Sequence, residues 1–158
     1  MELLKKIRVK DIMATNVVTV SEEDPLSAAI DKFIVHGISY VCIKDDDGRL
    51  VGLVSQKYIY KTKSPFKIVD GQNIYDKNII IDGDSYFDKD QIDAIPLRTM
   101  MKRDPFTLEP DDKVSKAIMN MAVKNIGCIP VVDAFKKPVG IITNQDIVNM
   151  VAVLLGEQ

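Results

Sequence analysis

Apolar residues fall into a pattern that occurs twice along the chain. Leu26, Ala29, Ile30, Phe33 and Ile34 recur at helical spacing, as do Val114, Ala117, Ile118, Met121 and Ala122. Before each stripe stands a short β-rich run, Val17–Val20 or Pro105–Leu108. Acidic, hydroxyl and proline residues join run to stripe (Ser21–Pro25 and Glu109–Asp112) and predict a turn and a helix start with an acidic or hydroxyl cap. A buried-type strand follows each helix, Tyr40–Asp45 and Cys128–Asp133. Asp47-Gly48 marks a hairpin turn. The return strands are Leu50–Ser55 and Pro138–Thr143, and a last helix opens directly after each. The predicted order is β-α-β-β-α, twice.

The two copies align without a gap at a shift of 88 positions, laying Val9–Tyr60 over Leu97–Val148. Identical pairs include Met13/Met101, Thr19/Thr107, Asp24/Asp112, Val35/Val123, Asp45/Asp133 and Gly52/Gly140. One unit of about 50 residues with an open apolar sheet face is marginal alone. Two copies can bury those faces against each other about a pseudo-twofold axis, and ligand clefts are expected where the sheets meet. The fold class is therefore α/β in the α+β sense. The expected organisation is a first repeat with its lead-in over 1–60, an inserted segment over 61–96, and a second repeat with a C-terminal helix over 97–158.

Residues 61–96 match neither copy. Asn78–Phe87 reads as strand, Asp-Gly turn, strand. Its isoleucines and aromatics are too many for a disordered linker. An edge hairpin is the plainer expectation; a lid or a partner-docking surface is the other. The acids Asp82, Asp84, Asp88 and Asp90 lack the spacing and closing glutamate of a calcium loop, so no metal site is expected.

Composition narrows the picture. The chain has 158 residues, 46% hydrophobic, with a formal net charge of -2. A chain of this size buries roughly two-thirds of its unfolded surface and needs no disulfide or metal to fold. Mixed charge gives no support to a nucleic-acid partner. No run approaches the roughly 20 apolar residues of a membrane span. The start of the chain lacks the pattern of a signal peptide, so the cytoplasm is expected. Cys42 and Cys128 lie in apolar runs and read as core residues. The one histidine, His36, precedes Gly37 and reads as a helix end. There is no nucleophile–base motif and no Gly-rich phosphate loop, so no catalytic residue is assigned.

The duplicated segments resemble tandem CBS (cystathionine β-synthase) domains. The resemblance rests on Asp11-Ile12-Met13 and Thr99-Met100-Met101, on Ile126 through Ile129-Pro130-Val131-Val132-Asp133, and on Gly140 through Thr143-Asn144-Gln145-Asp146-Ile147. It implies a regulatory module that binds an adenosine nucleotide (AMP, ADP or ATP, or alternatively S-adenosylmethionine) and signals to a partner protein. It also implies a homodimer, in keeping with the apolar run Ile147–Leu155. A structural dimerisation module with decayed sites is the alternative.

The resemblance places the ribose on Asp146, whose carboxylate accepts two hydrogen bonds. Thr143 and Gln145 stand at the same helix start, where free backbone N–H groups favour phosphate. The base would rest near Thr15, Val17, Ile38, Ser39 and Tyr40. Read without the resemblance, Thr143 is an ordinary N-cap and Asp146 a first-turn acid. The first copy departs from the pattern: Ser55 keeps the hydroxyl, but Tyr58 stands where the aspartate belongs. A second site, with Gly127, Cys128 and Ile129 opposite, is therefore expected to be empty, weak or altered. The positions where some family members carry phosphate-facing cations hold Ser39-Tyr40 and Gly127-Cys128. Lys57, Lys102, Arg103 and His36 are the available substitutes.

Overall fold

The computed structural model describes residues 4, 6–61, 78–81 and 85–156. The first copy folds in the predicted order, and the second does so without its opening strand. The first contains β1 (Thr19–Ser21), α1 (Leu26–His36), β2 (Tyr40–Lys44), β3 (Leu50–Ser55) and α2 (Gln56–Lys61). The intervening segment gives β4 (Asn78–Ile81), β5 (Ser85–Asp88) and α3 (Lys89–Ala94). After β6 (Lys102–Arg103), the second copy contains α4 (Val114–Lys124), β7 (Cys128–Val132), β8 (Pro138–Thr143) and α5 (Asn144–Leu154). This is a mixed α+β fold.

The chain forms two compact units that do not follow the halves of the sequence. One comprises Met1–Val17, Asp45–Leu50 and Asp104–Gln158; the other comprises Val18–Lys44 and Val51–Arg103. Each unit thus holds the helices and most strands of one copy with the lead-in of the other.

In the unit built on the first copy, β1 runs parallel to β2, and the sheet order is β1-β2-β3-β6. β6 comes from the second lead-in and pairs with β3 through Leu53↔Lys102 and Gly52↔Arg103. A short helical turn, Leu97–Thr99, precedes it. Its backbone is fixed by Leu97 N–H to Asp24 O (2.9 Å) and Arg98 N–H to Glu22 O (3.1 Å), with an ion pair between Arg98 and Glu23. Leu26, Ala29, Ile30 and Phe33 face the core, joined by Val41, Ile43, Val54, Leu97 and Met101. Helix α3 packs on α1 and adds Ile92. Strands β4 and β5 form an antiparallel ladder from Asn78↔Asp88 to Ile81↔Ser85. The Asp-Gly turn read between them, residues 82–84, lies outside the described residues.

The second unit repeats this plan. The turn Val9–Asp11 replaces Leu97–Thr99, with Val9 N–H on Asp112 O (2.8 Å) and Lys10 N–H on Pro110 O (2.9 Å). Ala14 bridges Ile141 where β6 pairs with β3 in the first copy. Val9, Leu108, Ala117, Met121, Ile129, Val131 and Ile142 form its core.

Three expectations need correction. The run Pro105–Leu108 yields only a parallel bridge, Leu108↔Val131. In the first copy Glu22 N–H extends the ladder to Lys44 O (3.1 Å); Pro110 takes that position in the second copy and has no N–H to give. The acids before α1 and α4 do not cap them: Asp24 accepts from Ser21 N–H (2.8 Å) and Asp112 from Glu109 N–H (2.9 Å), closing the turns. Lead-in carbonyls take the first helical N–H groups instead, Leu26 to Ile95 O (2.7 Å) and Val114 to Ile7 O (3.0 Å). Finally, Ile34 and Ala122, at the edge of their stripes, are exposed. Among the described residues no helix is long and apolar enough to cross a membrane.

Candidate functional site

The residues with ligand chemistry gather at the start of α5. Thr143 ends β8 in extended conformation and is the N-cap of the helix. Asp146 Oδ2 accepts the Thr143 backbone N–H (2.7 Å) and the Thr143 hydroxyl (2.8 Å). Asp146 N–H points back at Thr143 Oγ1 at 3.4 Å. This is a reciprocal capping box, which fixes the carboxylate without a cation. Asp146 is half-buried, and its Oδ1 accepts no hydrogen bond from any described residue.

Neighbouring donors at the helix start are engaged as well. Asn144 N–H donates to Gly127 O (3.0 Å), and Gln145 Nε2 donates to Asn149 Oδ1 (2.9 Å). With Thr143 and Asp146 already engaged, the helix start does not offer a row of free N–H groups to a phosphate.

Thr15 and Val17 belong to the same unit, on the lead-in that follows Ala14. Ala14 and Ile141 exchange two backbone hydrogen bonds (2.9 and 3.0 Å). The bridge is antiparallel, so Thr15 runs away from Thr143, and no hydrogen bond joins Thr15 to Thr143 or Asp146. Gly127 and Cys128 lie at this end: Cys128 pairs directly with Thr143 across β7 and β8. Ile129 is buried in the core behind them. Ile38, Ser39 and Tyr40 belong to the other unit, where Ser39 O accepts Gln56 N–H (2.9 Å) at the end of Ser55. Within each unit, then, Gly127-Cys128 accompany Thr143 and Asp146, while Ser39-Tyr40 accompany Ser55. Tyr58 falls in α2, where the sequence shift of 88 places it opposite Asp146.

The sequence reading missed a structural pair that sets this end of β8. A Cβ at Gly140 would overlap the Met13 sulfur and lie 3.0 Å from Met13 Cγ and 3.2 Å from Ala14 O. A Cβ at Gly52 would likewise overlap the Met101 sulfur, at 2.9 Å from Cγ and 3.1 Å from Cβ of that residue. Each glycine admits the methionine of the other copy's lead-in. The identities Met13/Met101 and Gly52/Gly140 carried the signal, without its partner assignment.

Both cysteines are buried and neither is in a disulfide; burial pushes the Cys42 thiol up to about 12. Among the described residues no three or more His, Cys, Asp or Glu side chains converge as metal ligands.

The family model of the CBS domain matches residues 9–64 and 97–153, and the chain belongs to that family with two copies of the domain. A CBS domain-containing protein of Dictyostelium discoideum is 24% identical over 151 residues, which cover 95% of this chain and 94% of that protein. The L-aspartate semialdehyde sulfurtransferase of Methanocaldococcus jannaschii is 29% identical over 139 residues. That match takes in 88% of this chain but 22% of the enzyme. A homoserine O-acetyltransferase of Methanococcus vannielii is 23% identical, and the chain spans 26% of its length. Among solved structures, a CBS domain pair in complex with 5′-methylthioadenosine and S-adenosyl-L-methionine superposes with a TM-score of 0.70 at 24% identity, covering 94% of this chain and 98% of that one. A putative acetoin utilization protein of Vibrio cholerae gives 0.70 at 25% identity, covering 95% and 93%.

Proposed function

We propose that this chain is a non-catalytic regulatory module that binds an adenosine-containing ligand and passes the signal to a partner protein. The observation that carries this is the Asp146 carboxylate. One oxygen is spent on the helix cap; the other is a fixed, half-buried acceptor to which no described residue donates. Such an acceptor suits a ribose hydroxyl, which must donate to be recognised. The CBS pair with 5′-methylthioadenosine and S-adenosyl-L-methionine supports the adenosine part. The methanogen enzymes, which match this chain over about a quarter of their length, support a module that serves another protein.

In this proposal Thr143, Gln145 and Asp146 hold the ribose end. Thr15 and Val17, in the same unit, contribute to the base. The site around Ser55 and Tyr58 binds weakly or not at all, because a phenol replaces the carboxylate.

The test is a thermal-shift titration of nucleotide-free protein with AMP, ADP, ATP and S-adenosylmethionine. A ligand at a hundred times its dissociation constant stabilises the protein by about 2.7 kcal/mol. Stabilisation by at least one compound, abolished in a folded Asp146→Ala variant, is expected. Indifference to all four would leave the second reading, an interaction module with decayed sites. The exposed apolar residues of α1, α4 and α5 favour that reading.

A further inference from the structure

We infer that the exposed stripe of α4 in one chain packs against that of α1 in a second copy, and that charge selects this unlike pairing over α4 on α4 or α1 on α1.

The two helices are copies of each other, so their exposed positions correspond one by one. The stripe on α4 is Lys116, Met119 and Val123; the shift of 88 gives Ala28, Asp31 and Val35 on α1. The apolar parts match, with Met119 and Val123 exposed on α4 and Ile34 and Val35 exposed on α1. The charges do not match. Helix α4 has no acidic residue: its charges are Lys116 and Lys124, with Lys113 at the N-cap. Helix α1 carries the exposed Asp31 where α4 has Met119, and no described residue donates to that carboxylate.

Beside the α4 stripe lies a cleft of about 420 Å³. Arg8, Lys113, Lys116 and Met119 line it, together with Asp111 and Asp112. Both acids are already answered, Asp111 by Lys10 (2.6 Å) and Asp112 by Lys116 (2.9 Å). The Arg8 guanidinium donates to the Asp111 backbone carbonyl (2.8 Å), and no described carboxylate pairs with Lys113. The cleft is therefore an apolar wall with cations in excess, and a carboxylate on the facing surface answers them.

Apolar burial is comparable in every pairing, so the charges decide. Placing α4 on α4 sets lysine against lysine whichever way the helices run, Lys116 on Lys116 in parallel and Lys116 on Lys124 in antiparallel. Placing α1 on α1 leaves the α4 cations unanswered. Placing α1 on α4 covers the same apolar side chains and brings Asp31 to Arg8, Lys113 and Lys116. Closed by a twofold axis, the contact is made twice in a dimer.

The experiment uses the full chain with a cysteine introduced as Val35→Cys or Val123→Cys; the native Cys42 and Cys128 are buried. Each variant alone, and an equimolar mixture after subunit exchange, is treated with a short bismaleimide and resolved on a denaturing gel. A covalent dimer is expected from the mixture and from neither variant alone. A covalent dimer from either variant alone, at the yield of the mixture, overturns the inference. So does a mixture without covalent dimer, or a monomer mass in sedimentation. The part played by charge is read separately. Asp31→Lys is expected to raise the dimer dissociation constant about three-fold, the scale of an exposed ion pair, and Lys113→Asp in the same chain to restore it, with circular dichroism confirming the fold. An unchanged constant in Asp31→Lys overturns the selection by charge.

Discussion

At the scale of single residues, Gly52 and Gly140 do more than bend a strand. Each leaves room for a methionine delivered by the other copy's lead-in, Met101 or Met13. A methyl group at Gly52 forces Met101 out of its place, and the Met101 Cβ at 3.1 Å is tied to the backbone and has little freedom to yield. Gly52→Ala is therefore expected to cost about 1–3 kcal/mol, as overpacking does. Met101 is itself buried, so Met101→Ala costs about 2–5 kcal/mol. The two losses share one cause, and the double variant is expected to lose clearly less than their sum. Urea denaturation of the four proteins gives the coupling. Additivity within about 0.5 kcal/mol would show that the contact is not what holds the lead-in.

At the scale of elements, the turns carry the ionisable groups that matter. The Arg49 N–H holds the Asp45 carboxyl below the usual carboxylate range, assisted by the Arg49 guanidinium and opposed by desolvation. The Lys10 ammonium does the same for Asp111. For Asp112, desolvation pushes upward, but the Glu109 N–H and Lys116 outweigh it and the net shift is down. A carboxylate with a depressed folded value adds stability above its unfolded value, about 3.9, and loses it as pH falls through the folded one. The urea midpoint is thus expected to hold from neutrality down to about pH 4 and to fall below it. Asp45→Asn and Asp112→Asn are expected to flatten that fall. A midpoint unchanged between pH 6 and pH 3 would show that these turns add nothing.

The same scale shows what the sequence made legible. Strands β3 and β8 begin and end where the apolar runs and the repeat placed them. The capping signature of Thr143 and Asp146 was readable because it is local. The weakened first strand of the second copy was readable only from a missing donor at Pro110, which periodicity does not register. The exchange of lead-ins was not readable at all. A gapless repeat says that Met13 and Met101 do the same thing, but not on which copy each does it. The Asp146 Oδ1, to which no described residue donates, belongs to the same class: the cap was foreseen, and the donors it consumes are visible only in the structure.

At the scale of the whole molecule, the exposed apolar residues are too ordered to be scattered surface. Val35 on α1 and Val123 on α4 occupy the same position in the two copies, and both are strongly exposed, at 75% and 79%. On α4, Met119 stands one turn before Val123 and is also exposed. On α5, Val148 and Val151 follow one helical stripe outside the core, and Leu155 at its C-cap is exposed as well. Both copies thus keep apolar side chains facing water on helices whose opposite faces are already buried. Such surface marks an interaction site, and the proposed occupant is a second copy of the chain. Sedimentation equilibrium at micromolar concentration is expected to give twice the chain mass. Met119→Glu/Val123→Glu, which touches neither core cluster, is expected to shift the protein toward monomer without lowering its helical signal. A wild-type monomer at high concentration would instead reserve these faces for the regulated protein, and the double variant would then abolish signalling while leaving ligand affinity unchanged.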